Sequence, residues 1–268
     1  MKKKHYRRTG PLLLLLLLAV LAALFSGYKV YTLWQEYRQG EESYEQLSDR
    51  FVISTPELPH ITIPAGMEEP LSETAPIAIA FDELLAECGD VVGWLYCADT
   101  PINYPVVQSS DNEYYLRRLL DGSYHINGTI FLDYRNSPDF SDWNSIIYGH
   151  NMKNDTMFGT LQKYKEQSYY EDHPVWYLLT PEKDYKIELI GGYTTPSTSA
   201  DTYAIPDSSQ GRDDLTEKAR KESTFQTETD IGDSDRIVTL STCAYEYEGA
   251  RYVLVGVLRE LVSTPEGS

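Results

Sequence analysis

The chain opens on one unbroken apolar run, from Pro11 to Phe25, and its hydrophobic pattern then changes character. A spanning helix needs about 20 apolar residues. Ser26, Gly27, Tyr28, Val30, Tyr31, Leu33 and Trp34 extend the run to that length, with Tyr28, Tyr31 and Trp34 suited to a membrane interface. Residues 28–50 read as a polar helix leaving the apolar segment. Residues 51–79 carry Pro56, Pro59, Pro64, Pro70 and Pro76 and read as an extended linker. Phe81, Leu84 and Leu85 have helical spacing, with Asp82 and Glu83 in the first turn and Gly89 as a stop.

Beyond Gly89 short apolar runs alternate with turn residues. Val91–Leu95, Ile102–Val107, Thr129–Leu132, Ser145–Tyr148, Val175–Leu179, Tyr185–Tyr193, Arg236–Ser241 and Tyr252–Leu261 predict strands, and their spacing suggests a barrel or sandwich. Two helical stretches interrupt them, at about Met157–Lys165 and Asp213–Ser223.

Charge sharpens the N-terminal reading. Lys2, Lys3, Lys4, Arg7 and Arg8 precede the apolar run, so the positive-inside rule puts the N-terminus in the cytoplasm and the rest outside. No small-x-small cleavage site stands out, which favours an uncleaved anchor. The formal net charge of −18 and the absence of a basic stripe in the folded part argue against a nucleic-acid partner. Five expected units follow: a cytoplasmic basic tail (1–10), a transmembrane anchor (11–34), an extracytoplasmic helix and Pro-rich linker (35–79), a folded domain (80–262) and a C-terminal tail (263–268).

Three cysteines outside the cell leave at least one free thiol. Cys88 and Cys97 either pair or are separately buried; Cys243 is then the unpaired one. It ends the strand text Arg236-Ile-Val-Thr-Leu-Ser-Thr-Cys243, and a polar loop with Gly249 leads to the next strand at Arg251. If the two strands are antiparallel neighbours, a guanidinium stands beside the thiol, where it favours thiolate or donates to an oxyanion. Ile146-Ile-Tyr-Gly-His150 ends another strand on a histidine, the natural general acid/base near neutrality. The chain contains no CxxC or His/Cys zinc spacing, no phosphate loop and no G-x-S-x-G elbow. No cofactor or metal is called for. Asp111, Asp133, Asp139 and Asp142 lack calcium-loop spacing.

Thr239-Leu-Ser-Thr-Cys243 resembles the TLxTC motif of sortases, with the histidine 93 positions upstream in a Tyr-Gly-His-Asn setting and the arginine eight positions on. Val92–Tyr96, Thr100–Gln108, Gly128–Arg135, Ile146–Asn151 and Met157–Leu161 make the likeness more specific, to class B sortases, over roughly residues 80–262. The resemblance implies a mainly β fold: an eight-stranded barrel with an N-terminal helix and an extra helix in the connection before the cysteine strand. It implies a cysteine transpeptidase with Cys243 as nucleophile, His150 as general acid/base and Arg251 as oxyanion stabiliser. Asn103, Val107, Tyr203, Ser241 and Thr242 would line the substrate groove. Where some relatives carry an acidic residue after the cysteine this chain has Ala244, so no carboxylate joins the expected set. The implied partners are the cell membrane, secreted proteins with a C-terminal sorting motif of N-P-x-T-x or x-P-x-T-G type, and an amine of peptidoglycan or its lipid-linked precursor, at a Gram-positive-type cell surface. The alternatives are a pilus-building enzyme using a lysine amine, a hydrolase that releases surface proteins, and a non-catalytic binding module.

Overall fold

The computed structural model describes residues 10–54 and 74–261. Helix α1 runs without a break from Gly10 to Phe51. Its first half is apolar and exposed, and is long and apolar enough to cross a membrane. Its second half docks on the rest of the protein. Tyr37, Gly40, Tyr44, Leu47 and Phe51 recur at alternating steps of three and four, which lines one helix face. Of these, Gly40, Tyr44, Leu47 and Phe51 are buried. The segment read as a polar helix leaving the apolar run is helical, and it packs against the folded body.

The ends of the expected linker also differ. Strand β1 (Val52–Ser54) pairs antiparallel with β2 (Ile77–Ile79), so the chain returns to where it left; residues 55–73 lie outside the described residues. Helix α2 follows at Phe81–Glu87, where Leu84 turns inward.

Eight strands then form a closed barrel: β3 (Val91–Tyr96), β4 (Asn103–Val107), β5 (Ile130–Leu132), β6 (Asn144–Tyr148), β7 (Val175–Leu179), β8 (Asp184–Pro196), β9 (Arg236–Cys243) and β10 (Ala250–Glu260). Their order is β10-β8-β7-β3-β4-β5-β6-β9, closing on β10. The β4–β5 and β6–β9 pairs are parallel and the others antiparallel. The predicted strands thus match an eight-stranded barrel. The stretch at 157–165 is instead a 3-10 helix, Gly159–Lys165, followed by the short α3 (Gln167–Asp172). Gly159, Thr160 and Leu161 are buried in succession, which a one-sided α-helix does not allow.

Helix α4 (Ser209–Glu222) occupies the connection between β8 and β9. Leu215 and Ala219 pack on Ile190, Tyr193, Val253 and Val255. A Cβ on Gly191 would meet the Ala219 carbonyl at 2.5 Å, so glycine sets how close α4 lies. With the barrel interior on one face and α4 on the other, β10 is buried from Tyr252 to Leu258. That is why its text is continuously apolar instead of alternating.

Candidate active site

Two ladders bring three residues together. In the antiparallel β9–β10 pair, Arg251 stands directly opposite Cys243. In the parallel β6–β9 pair, Tyr148 lies beside Ser241. The contact continues one step beyond the strand: Gly149 N–H donates to the Ser241 carbonyl at 3.1 Å, and Thr242 Oγ1 donates to the Gly149 carbonyl at 2.8 Å. His150 is therefore level with Cys243 on one side, and Arg251 flanks it on the other. All three line one cleft of about 220 Å³ at the end of the barrel.

Gly149 shapes this corner. A Cβ there would stand 2.7 Å from the buried Phe158 ring, so the chain passes over that ring only without a side chain. The turn between β9 and β10 closes through Ala244 N–H to the Ala250 carbonyl at 3.0 Å, with Gly249 at φ +75°. The Cys243 carbonyl accepts two side-chain amides, from Asn151 at 2.7 Å and Gln162 at 3.2 Å.

His150 Nε2 donates to the Leu116 carbonyl at 2.7 Å, which leaves Nδ1 of the neutral ring as an acceptor. Burial pushes its pKa below the ordinary histidine value. The Leu116 bond pulls it back up, and the Arg117 and Arg251 charges push it further down.

Of the other expected groove residues, Tyr203, Ser241 and Thr242 line this cleft. Tyr203 OH and Ser241 Oγ are 2.9 Å apart, and the Tyr203 ring stacks on Tyr148 with centroids 6.1 Å apart. Asn103 and Val107 do not line it. Asn103 begins β4 at the strand's far end, accepts Trp94 Nε1–H at 2.7 Å and donates to Ser48 Oγ of α1 at 2.7 Å. Val107 ends β4 nearer the cleft, but its side chain is wholly buried.

Asn112, Leu116 and Tyr148 line the cleft instead, without having been expected there. Asn112 and Leu116 come from the segment around a 3-10 helix at Tyr114–Arg117. A buried carboxylate organises this side. Asp133 accepts Tyr148 OH at 3.0 Å and Asn112 Nδ2 at 3.1 Å, while Arg135 binds it through Nε at 2.9 Å and Nη2 at 2.8 Å. Burial alone would raise the Asp133 pKa; the Arg135 hydrogen bonds and charge outweigh it and hold the carboxyl below the usual range. Cys88 and Cys97 are both free and unpaired with each other.

Comparison with known proteins decides the family. The profile of the sortase domain matches residues 95–259. The chain belongs to the sortase family. A curated relative, sortase B of Listeria monocytogenes, is 39% identical over 175 residues, covering 63% of this chain and 70% of the relative. Sortase B of Staphylococcus aureus is 29% identical over 240 residues, covering 88% and 91%. Among solved structures, sortase B from B. anthracis in complex with AAEK1 superposes with a TM-score of 0.67 at 30% identity, covering 85% of this chain and 99% of that one. A sortase B complexed with triglycine gives 0.64 at 30% identity, covering 68% and 86%. This sortase is of class B and is a cysteine transpeptidase, which sets aside the non-catalytic module.

Proposed function

We propose that the chain is a membrane-anchored transpeptidase that cleaves secreted proteins after the Thr of a C-terminal sorting motif, of N-P-x-T-x or x-P-x-T-G type, and joins them to a cell-wall amine. The observation that carries this is the register that sets Arg251 across from Cys243, with His150 level on the neighbouring strand. Cys243 Sγ attacks the Thr carbonyl carbon and passes its proton to His150. Arg251 holds the developing oxyanion. The C–N bond breaks as His150 returns the proton to the leaving amine, leaving a thioester on Cys243. The acceptor amine then attacks that thioester, loses a proton to His150 and releases the thiol. Tyr203, Ser241 and Thr242 contact the motif. The complex of a related sortase B with triglycine supports a glycine-type amine as acceptor.

The apolar half of α1 serves as the anchor, with the basic tail in the cytoplasm and the barrel outside. The test is full-length protein in detergent micelles with fluorogenic peptides of both motif types, beside Cys243→Ala. Cleavage after Thr that disappears in the variant, with a peptide–amine product when triglycine is added, supports the reading. Cleavage that survives Cys243→Ala overturns the mechanism. A lysine-bearing acceptor used in preference to triglycine points to pilus assembly, and product that ignores every amine points to hydrolysis.

A further inference from the structure

Helix α1 offers no joint between its apolar half and its docked half. Trp34, the last aromatic suited to the membrane interface, is two residues before Glu36, about 3 Å of helix rise. The Glu36 carbonyl accepts His125 Nε2–H at 2.9 Å. The hairpin before His125 is thereby fixed at the height where α1 leaves the lipid.

That hairpin is preformed. Arg118 and Tyr124 bridge antiparallel, Leu119 N–H bonds the Ser123 carbonyl at 2.9 Å and His125 N–H bonds the Arg117 carbonyl at 2.9 Å. Its surface is unusual for an outer loop. Tyr124 is 69% exposed, Tyr114 42% and Leu116 37%. Arg118 lies over the Tyr114 ring, 4.8 Å from its centroid, and Arg117 is exposed and forms no ion pair among the described residues. Asp111, Glu113, Tyr114, Arg117, Arg118 and Tyr124 together line one hollow of about 350 Å³. The Asp111 carboxylate is taken by the backbone amides of Glu113 and Tyr114, and Asp121 by that of Ser123. An exposed Arg117, and an Arg118 shared between the Tyr114 ring and the Gly122 carbonyl at 3.2 Å, stand beside exposed tyrosine in a chain of net charge −18, a set that suits the phospholipid headgroup layer. Rings sit among headgroups there and guanidinium pairs with phosphate.

We propose that the Tyr114–Tyr124 hairpin seats on the phospholipid headgroups of the membrane that α1 crosses. The inference rests on the anchor reading of α1. It also deepens the proposed function, because Leu116 belongs to both surfaces: it lines the catalytic cleft and its carbonyl holds His150. The cleft then opens at the membrane surface.

Amide exchange of the full-length protein tests this, in phospholipid nanodiscs against maltoside micelles, which carry no phosphate. The amides of 113–124 are expected to exchange at least threefold more slowly in nanodiscs, and Arg117→Gln/Tyr124→Ser should restore the micelle rate. Protection of β9 reports that the variant is folded, and Tyr124→Ser alone serves if the double variant is not. Equal exchange of 113–124 in both settings, with the apolar half of α1 still protected, overturns the docking and spares the anchor. Rapid exchange in the apolar half removes the anchor, and the docking with it.

Discussion

Asn151, the residue after His150, donates its side-chain amide to the carbonyl of Cys243 at 2.7 Å. The base and the nucleophile are thus tied by a bond that uses neither reacting group, and Gln162 adds a second donor to the same carbonyl at 3.2 Å. Losing one hydrogen bond of about 1.4 kcal/mol is worth about tenfold. Asn151→Ala should lower kcat of peptide cleavage roughly tenfold with little change in KM, and Gln162→Ala should cost less, both read from initial rates. A change confined to KM would show that the amide holds substrate instead of the thiol segment.

Asp133 controls the other wall. It is wholly buried and orders Asn112 and Tyr148 together, while its partner Arg135 also reaches the Tyr203 carbonyl at 3.3 Å. Asp133→Ala strands the hydroxyl, amide and guanidinium at once, and should destabilise the protein by about 3 kcal/mol in denaturant titrations. Tyr148→Phe removes one hydroxyl from the same node and should cost about 1 kcal/mol while raising KM.

The histidine leaves a mark on stability as well as on rate. Burial and two arginines hold the folded pKa of His150 below the unfolded value. As pH falls through about 6.5, the unfolded chain takes up this proton first, so unfolding becomes easier. The loss stops once pH drops below the folded pKa. His150→Gln should flatten that part of the pH–stability curve, measured by thermal melts from pH 8 to 5. An unchanged slope would mean that the ring titrates alike in both states.

Docking of α1 depends on a glycine. A Cβ at Gly40 would lie 2.5 Å from His125 Cε1 and also collide with the Asn127 amide. Gly40→Leu should force the helix off the barrel, lowering the melting temperature of the full-length protein by several degrees and speeding amide exchange at 44–51. Gly40→Ala should show the same direction more weakly, since helix propensity offsets part of the clash.

The strands and the reactive trio are legible in the residues because both signals are local. Arg236–Cys243 and Ala250–Glu260 are apolar runs ended by turns, and each reactive residue sits at a strand end. The docked face of α1 is present in the sequence too, at Tyr37, Gly40, Tyr44, Leu47 and Phe51, but Glu41, Glu42, Glu45 and Asp49 between them dilute it. Asn112 and Leu116 carry no local mark. They reach the cleft only because a 3-10 segment folds across the end of the barrel, and Asp133 fixes Asn112 from 21 positions away. Asn103 departs from expectation for the opposite reason: its strand is legible, but which end of that strand meets the cysteine depends on the pairing of β4 with β5.

The parallel pairing of β6 with β9 has a consequence for assembly. Contacts between distant parts of a chain form late, because closing a long loop must precede any gain from them. Strand β9 forms a local hairpin with β10 but joins β6 across the intervening β7, β8 and α4, and that long-range pairing closes the barrel. Until that closure Cys243 has Arg251 beside it but not His150, so an emerging or half-folded chain lacks the base. Reactivity switches on with the last seam, and peptide cleavage during refolding should therefore lag behind the recovery of α4 helicity.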